Sequence, residues 1–438
     1  MKPLDYALNL LERINRVKVN GRPVAEIFCY KNYWVWSFHQ QNLWLKTINF
    51  VSREKTPVKK RPIKNIFLIM AGLVCALLLI LKMRLTRSRV LVYSISRDGS
   101  RDFRLAEIFR FLKSHHIGYG EFIHSQKISL RPVFYYPDIL NLIFQPAGER
   151  KIDFDLSQFN AKEKGWARKT LRHFLGACLI SLKKIAFLKI YLPLTGAKTI
   201  LAIDDPRYYN EMLVAAEDLG INFYAFQHGR FNQYLVGWIN PGLPPERSPF
   251  PSQFFVWNQY WREKIIALSP LFRHYQQRLL IGGRPYQGLP ELELLDDEVT
   301  TILIPYEVKA DQKQIAAFIK RLMRGDKQRV IFKARKGEAL PEEIVSTGAL
   351  IVEEISRQLW REVDLVAGTY STLLYEAAEA GRAVAVLKVA GAEAGDLVTE
   401  GRAVWLDINE LDVIKKIKPK ARIKTNVAIE NTLRKILL

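Results

Sequence analysis

Residues 199–229 read TILAIDDPRYYNEMLVAAEDLGINFYAFQHG. The run at 199–203 (TILAI) is short, apolar and β-branched, and it ends in Asp204 and Asp205, which is the pattern of a buried strand. Residues 209–219 continue as a helix closed by Gly220, the residue type best suited to a helix C-terminus. Residues 221–226 (INFYAF) form a second apolar run that ends in Gln227, His228 and Gly229. Strand, helix and strand in so short a stretch make a βαβ unit, and its two strands are expected to be parallel neighbours.

The same alternation extends in both directions. Upstream, residues 90–94 (VLVYS) read as a strand, 96–103 as a polar turn, 105–113 as an amphipathic helix and 119–123 as a strand. Downstream, the Gly- and Pro-rich residues 230–251 read as an irregular loop, followed by strands at 254–257 and 279–281. Gly282, Gly283 and Pro285 open a linker that runs through acidic residues 291–298. A second set then begins, with strands at 302–305, 330–333, 351–353, 365–367, 383–387 and 404–406. Its helices are expected at 312–323, at 356–362 and from Thr372 to Gly381. Alternation of this kind predicts parallel sheets covered on both faces, hence an α/β chain of two Rossmann-like domains. The expected order is an aromatic-rich region at 1–62, a hydrophobic helix at 63–83, a first domain at 84–285, a linker at 286–298 and a second domain at 299–438.

Composition narrows the partners. A chain of 438 residues with 49% hydrophobic side chains can bury more than one core, yet 66 Lys and Arg against 44 Asp and Glu leave a net charge of +22. Nucleic acid, an anionic membrane or a polyanionic substrate could each balance that excess. Nucleic acid is the weakest of these, because the basic residues gather around apolar segments and form no known DNA or RNA module. Cys29, Cys75 and Cys178 are too few and too far apart for a disulfide framework or a zinc site, which points to a reducing, cytoplasmic compartment.

Residues 66–81 (IFLIMAGLVCALLLIL) carry no charge, and Lys59, Lys60, Arg61 and Lys64 precede them while Lys82, Arg84, Arg87 and Arg89 follow. As a helix this core spans about 24 Å, somewhat short of the ~30 Å hydrocarbon layer unless the flanking lysines snorkel. A helix apolar all round with cationic collars favours attachment to the cell membrane over burial in a core. A full span and a shallow dip with both flanks on the cytoplasmic side remain open, since the basic residues are balanced. Tyr33, Trp34, Trp36 and Trp44 suit either a headgroup layer or the cap of a core. The basic helix at 166–192, with Lys169, Arg172, Lys183, Lys184 and Lys189, suits either an anionic membrane face or a solvated linker.

Parallel α/β sheets bind ligands at the carboxyl ends of their strands. In the first domain those ends carry Arg97, Asp98 and Arg101, then Asp204 and Asp205, then Gln227 and His228. In the second they carry Tyr306 and Glu307, then Lys333, Arg335 and Lys336, then Thr369 to Thr372. Ser371 and Thr372 fall where a helix begins, so hydroxyls and unpaired N–H groups could meet a phosphate, with Lys333 and Arg335 balancing its charge. Glu376, one turn further along, could accept hydrogen bonds from a ribose. Plain helix capping is the alternative for the same residues. His228 can accept a proton at neutral pH, contact an anion, or serve only structure.

The segment GTYSTLLYEAAEAGRAVAVL (368–387) resembles the nucleotide-diphosphate end of GT-B glycosyltransferases. FYAFQHG (223–229), after the DDPRYYN helix, looks like the Gln-His-Gly element of capsule polysaccharide transferases and CDP-glycerol glycerophosphotransferases. FFVWNQYWREKI (254–265) and LLIGGRPY (279–286) are similar to the stretches that follow it in those proteins. The Lys-x-His-Pro common there stands here as Lys333-Ala334-Arg335-Lys336, and an Arg can hold phosphate but shares no proton at neutral pH. The resemblance implies a GT-B fold with its active site in the cleft between the domains. It implies an inverting, metal-independent glycosyltransferase without a cofactor, which moves a sugar or polyol phosphate from a nucleotide-activated donor to a glycan or lipid-linked acceptor. The donor is expected on Lys333, Arg335, Thr369, Ser371, Thr372 and Glu376. The acceptor is expected near Arg97, Asp98, Arg101, Asp204, Asp205 and Gln227, with His228 at the chemical step. A non-catalytic partner in polysaccharide assembly that keeps the fold is the competing reading, with a nucleotide-sugar epimerase behind it.

Overall fold

The computed structural model describes residues 3–52, 65–96, 101–125, 131–135, 138–144, 152–289, 300–308, 310–324, 328–335, 338–389, 394–419 and 428–438. The chain divides into two compact units, one of Met1–Tyr286 with Val427–Leu438 and one of Gln287–Asn426.

Six parallel strands form the sheet of the first unit: β1 (Val90–Ser96), β2 (Tyr119–Ser125), β3 (Thr199–Ile203), β4 (Asn222–Phe226), β5 (Gln253–Val256) and β6 (Leu279–Ile281). They lie in the order β6-β5-β4-β3-β1-β2. The strand order reverses between β1 and β3, which makes the carboxyl ends of these two strands the switch point where doubly wound sheets take ligands. The second unit holds β7 (Thr301–Pro305), β8 (Arg329–Lys333), β9 (Leu350–Val352), β10 (Leu365–Gly368), β11 (Ala383–Leu387) and β12 (Val404–Leu406), also all parallel. Their order is β9-β8-β7-β10-β11-β12, with the switch point between β7 and β10. Both Rossmann-like sheets expected from the sequence are therefore present. Their strands read as continuous apolar runs because helices cover both faces; β11, for example, is buried at every position.

The domain boundaries differ from expectation at both ends of the chain. Residues 3–51 form no separate region, since helices α1 (Pro3–Asn15) and α2 (Gln40–Val51) pack into the first unit. Arg13 clamps Glu163 with two bonds of 2.8 and 3.0 Å, and Asn15 donates to the Pro241 carbonyl at 2.9 Å. Trp36 and Trp44 are 1% and 2% exposed, so these aromatics cap a protein core and do not reach a headgroup layer. At the other end, the last helix (Ile429–Leu437) returns to the first unit. It buries Leu433 with Ile108 and Leu112, and Thr432 donates to the Gly282 carbonyl at 3.1 Å.

Helix α3 (Asn65–Leu85) contains the hydrophobic segment and leads directly into β1. Helix α4 (Ala161–Thr195) contains the basic segment. It opens on a reciprocal capping box between Asn160 and Glu163 and stops at Gly196, which sits at φ 74°. Leu171, Phe174, Cys178, Ile185, Leu188 and Leu192 are buried, so α4 is a core helix and not a linker. Lys184 is buried as well, with its ammonium 3.5 Å from Glu211, and it is therefore withheld from any lipid surface.

Candidate active site

The register Ile203↔Phe226 sets the ends of β3 and β4 side by side, so the residues that leave those strands must meet. Asp204 leaves β3 and is 3% exposed. One of its carboxylate oxygens accepts the backbone N–H of His228 at 2.8 Å and also lies against Nδ1 of the same residue. An ionised carboxylate can only accept, so Nδ1 is the donor in this contact, and a neutral ring held in this way presents the lone pair of Nε2. Burial pushes the Asp204 carboxyl up and the imidazole pulls it down, with burial prevailing. The His228 side chain is 29% exposed, against 2% for Asp204, so the ring stands between a dry carboxylate and solvent. That is the arrangement of an oriented general base.

The surrounding residues hold this pair in place. Gln227 is fully buried: its amide oxygen accepts the Trp257 N–H at 3.1 Å, and its amide nitrogen donates to the Gly229 carbonyl at 2.9 Å. Its backbone carbonyl accepts the Trp257 indole at 2.8 Å. Gln227, expected on the acceptor side, is thus committed to the shape of this loop. Asp205 is 4% exposed and adds its charge to the setting of Asp204. Arg101 also departs from expectation. Its guanidinium turns back along the edge strand, 4.8 Å from the Phe109 ring centroid and 3.3 Å from Glu121. Arg97 and Asp98 lie outside the described residues. Arg284, not among the expected site residues, follows β6 at the same carboxyl edge and stacks 4.5 Å above the Trp257 ring. Its place in the Gly-Gly-Arg-Pro turn was the available signal.

In the second unit the switch point is closed by one side chain. Glu307 follows β7 and is 1% exposed. It accepts the N–H and the hydroxyl of Thr369 and the N–H of Tyr370, all at 2.6 Å, as well as the N–H of Ser371. Gly368 permits this approach, since a Cβ there would lie 3.1 Å from Pro305 and 3.3 Å from Glu307. Burial pushes the Glu307 carboxyl up against the pull of these bonds. Thr369, expected at the donor, is fully buried with its N–H and hydroxyl both bonded to Glu307. The Ser371 N–H is spent in the same way. Ser371 also caps helix α5 (Thr372–Glu379), its hydroxyl oxygen accepting the Leu373 N–H at 3.2 Å.

What this edge still offers a ligand is the half-exposed set of Ser371, Thr372, Glu376, Lys333 and Arg335. Lys333 ends β8 and donates to the carbonyls of Ala334 at 3.3 Å and Glu353 at 3.4 Å. Burial lowers its pKa, the Glu376 carboxylate raises it, and the Arg335 charge lowers it again, so both side chains act on the Lys333 ammonium. Among the described residues Arg335 pairs loosely with Glu338, at 3.7 Å. Lys336 lies outside the described residues. Two cations, two hydroxyls and one carboxylate suit an anion joined to a polyol.

No protein-family model matches the chain, and no curated protein matches it either. Among solved structures it is similar to UDP-GlcNAc 2-epimerase from Methanocaldococcus jannaschii, at 14% identity over 80% of this chain and 99% of that one, TM-score 0.45. UDP-GlcNAc 2-epimerase from Neisseria meningitidis, solved bound to UDP-GlcNAc, gives 14% identity over 80% and 98%, TM-score 0.45. The calicheamicin glycosyltransferase CalG4 gives 9% identity over 80% and 93%, TM-score 0.44.

Proposed function

We propose that the chain is a membrane-associated glycosyltransferase of the GT-B type, which uses a nucleotide-activated sugar or polyol phosphate and a hydroxyl acceptor in cell-surface glycan synthesis. The observation that carries this reading is the pairing of buried Asp204 with half-exposed His228 at the carboxyl edge of a parallel sheet. In the proposed step, Nε2 of His228 takes the proton of the acceptor hydroxyl as that oxygen bonds to the anomeric carbon. The bond from that carbon to the nucleoside diphosphate breaks, and the diphosphate leaves with the electron pair. Asp204 stabilises the imidazolium that forms. Lys333 and Arg335 neutralise the diphosphate, Ser371 and Thr372 donate to it, and Glu376 accepts from the ribose.

Glu307 already holds the N–H groups of Thr369, Tyr370 and Ser371, the loop that leads into α5. Phosphate contacts in the proposed donor site are therefore made through side chains more than through this loop. Lys333→Ala and Arg335→Ala are accordingly expected to weaken nucleotide binding by about 1.5–3 kcal/mol each, the usual worth of a charge-assisted contact. Glu376→Gln should cost less, because an acceptor oxygen remains. Calorimetric titration with nucleoside diphosphates checks this, and unchanged affinity in all three variants would place the donor elsewhere.

A further inference from the structure

Helix α3 has two faces that differ in their surroundings. Cys75, Ala76, Leu79 and Met83 are buried against the first unit. Gly72 lies so close to Ile139 that an added Cβ would fall 2.2 Å from it, and one on Gly120 of β2 would fall 2.6 Å from the Met83 sulfur. The Tyr191 hydroxyl donates to the Ala76 carbonyl at 2.9 Å, and Arg84 donates to the Pro193 and Leu194 carbonyls, each at 2.8 Å. The opposite face is open. Phe67, Met70, Val74, Leu77, Leu78, Leu81 and Leu85 recur at three- and four-residue spacing, and Phe67, Leu77 and Leu85 are 80%, 65% and 76% exposed. At 100° per residue they fall within an arc of about 100°, and they run for about 27 Å. Ile190 and Leu194, on the stretch of α4 beside Arg84, extend the apolar surface at 71% and 48% exposed.

The chain on both sides of α3 belongs to the same folded body. Residues 3–51 precede the helix, yet Arg13 is bonded to Glu163, Asn15 to Pro241 and Tyr33 to Glu217, the last at 2.7 Å. A single crossing would put these partners on opposite sides of the bilayer. A return crossing would have to pass through residues 53–64, which carry Arg53, Lys55, Lys59, Lys60, Arg61 and Lys64. Charges of that number do not enter hydrocarbon. Lipid contact and one-sided topology are compatible only if the helix lies along the surface.

We infer that α3 is an in-plane membrane helix: its inner face is part of the first unit's core, its outer face sinks into one leaflet, and the occupant of that face is an anionic lipid surface. Charge complementarity identifies the occupant. Arg84, Arg87 and Arg89 are exposed at the C-terminal end of the helix, Lys82 is half-exposed beside them, and the chain as a whole carries +22. The inference deepens the membrane-associated part of the proposed function and rests on that part alone.

Two measurements on the full chain test it. Co-sedimentation uses vesicles of phosphatidylcholine with and without phosphatidylglycerol. The wild type is expected to pellet with the anionic vesicles, and Leu77→Asp with Leu81→Asp is expected to lower that partition at least tenfold. Both positions are exposed, so the fold should survive and the thermal unfolding transition of the double variant should match the wild type; a folded double variant that still pellets like the wild type would overturn the inference. The second measurement uses a Cys29→Ser background with Ser52→Cys or Thr86→Cys and a membrane-impermeant maleimide on inverted membrane vesicles. Both positions should label from the same side. Labelling from opposite sides would establish a span and overturn the inference. So would a wild type that ignores anionic vesicles, or one that forms a dimer which the double variant dissociates, since a second copy would then cover the face.

Discussion

Replacing His228 by Ala is expected to lower turnover by about 100-fold or more while donor affinity stays as it was, because the base acts on the acceptor and not on the nucleotide. The change also strips a partner from the buried Asp204 carboxylate, which still accepts the backbone N–H at 2.8 Å, so some stability will be lost with it. His228→Asn separates the two effects. Its amide can still donate to Asp204, but it cannot take up a proton at neutral pH, so it should fold well and remain slow. Asp204→Asn should be slow for another reason: the charge that stabilises the imidazolium and fixes its tautomer is gone. Single-turnover rates and donor titrations on the same folded preparations decide the matter. If His228→Asn turns over at the wild-type rate, the pair is structural.

Glu307→Ala is expected to destabilise the second unit by about 3 kcal/mol or more, since three N–H groups and one hydroxyl lose the carboxylate that accepts them. Glu307→Gln should cost less, about 1–2 kcal/mol, because one oxygen still accepts while the amide nitrogen faces donors. Calorimetric unfolding of the full chain reads both. The effect on nucleotide binding is informative in its own right. A loop that merely needs Glu307 for its shape loses affinity in both variants. A loop in which the carboxylate competes with phosphate gains affinity in Glu307→Gln. Unfolding curves identical to wild type would contradict the bonding around this residue.

The two sheets were legible because their strands are apolar runs punctuated by Gly, Pro and acidic residues, a local pattern that needs no partner to be recognised. Residues 199–203 and 279–281 matched the observed strands, and 221–226 exceeded β4 by one residue. The Asp204–His228 pair was half legible. Both residues were singled out at strand ends, and adjacent parallel strands imply that the loops leaving them lie close, although nothing local says that the carboxylate of the first residue after β3 holds the ring of the second residue after β4. The role of Glu307 was hidden because its donors lie 62 to 64 residues away, on a loop that reads as an anion site in its own right. Residues 3–51 were misplaced for the same reason. Contacts such as Arg13 to Glu163, separated by 150 positions, leave no periodic trace in a single sequence. The hydrophobic helix showed its composition but not its sidedness, since a segment apolar all round carries no mark of the face that packs.

The most direct test of the proposed function is a thermal-shift screen of the purified full chain against UDP-, GDP-, CDP- and CMP-linked sugars. A ligand that binds only the folded state raises the melting temperature, since it stabilises that state by an amount that grows with the logarithm of its concentration over its dissociation constant, about 2.7 kcal/mol at 100 times that constant. The expected result is stabilisation by one nucleotide class, lost in Lys333→Ala and retained in His228→Asn. No shift with any of the four at millimolar concentration, or a shift that survives Lys333→Ala unchanged, would contradict a nucleotide-sugar site in the second unit.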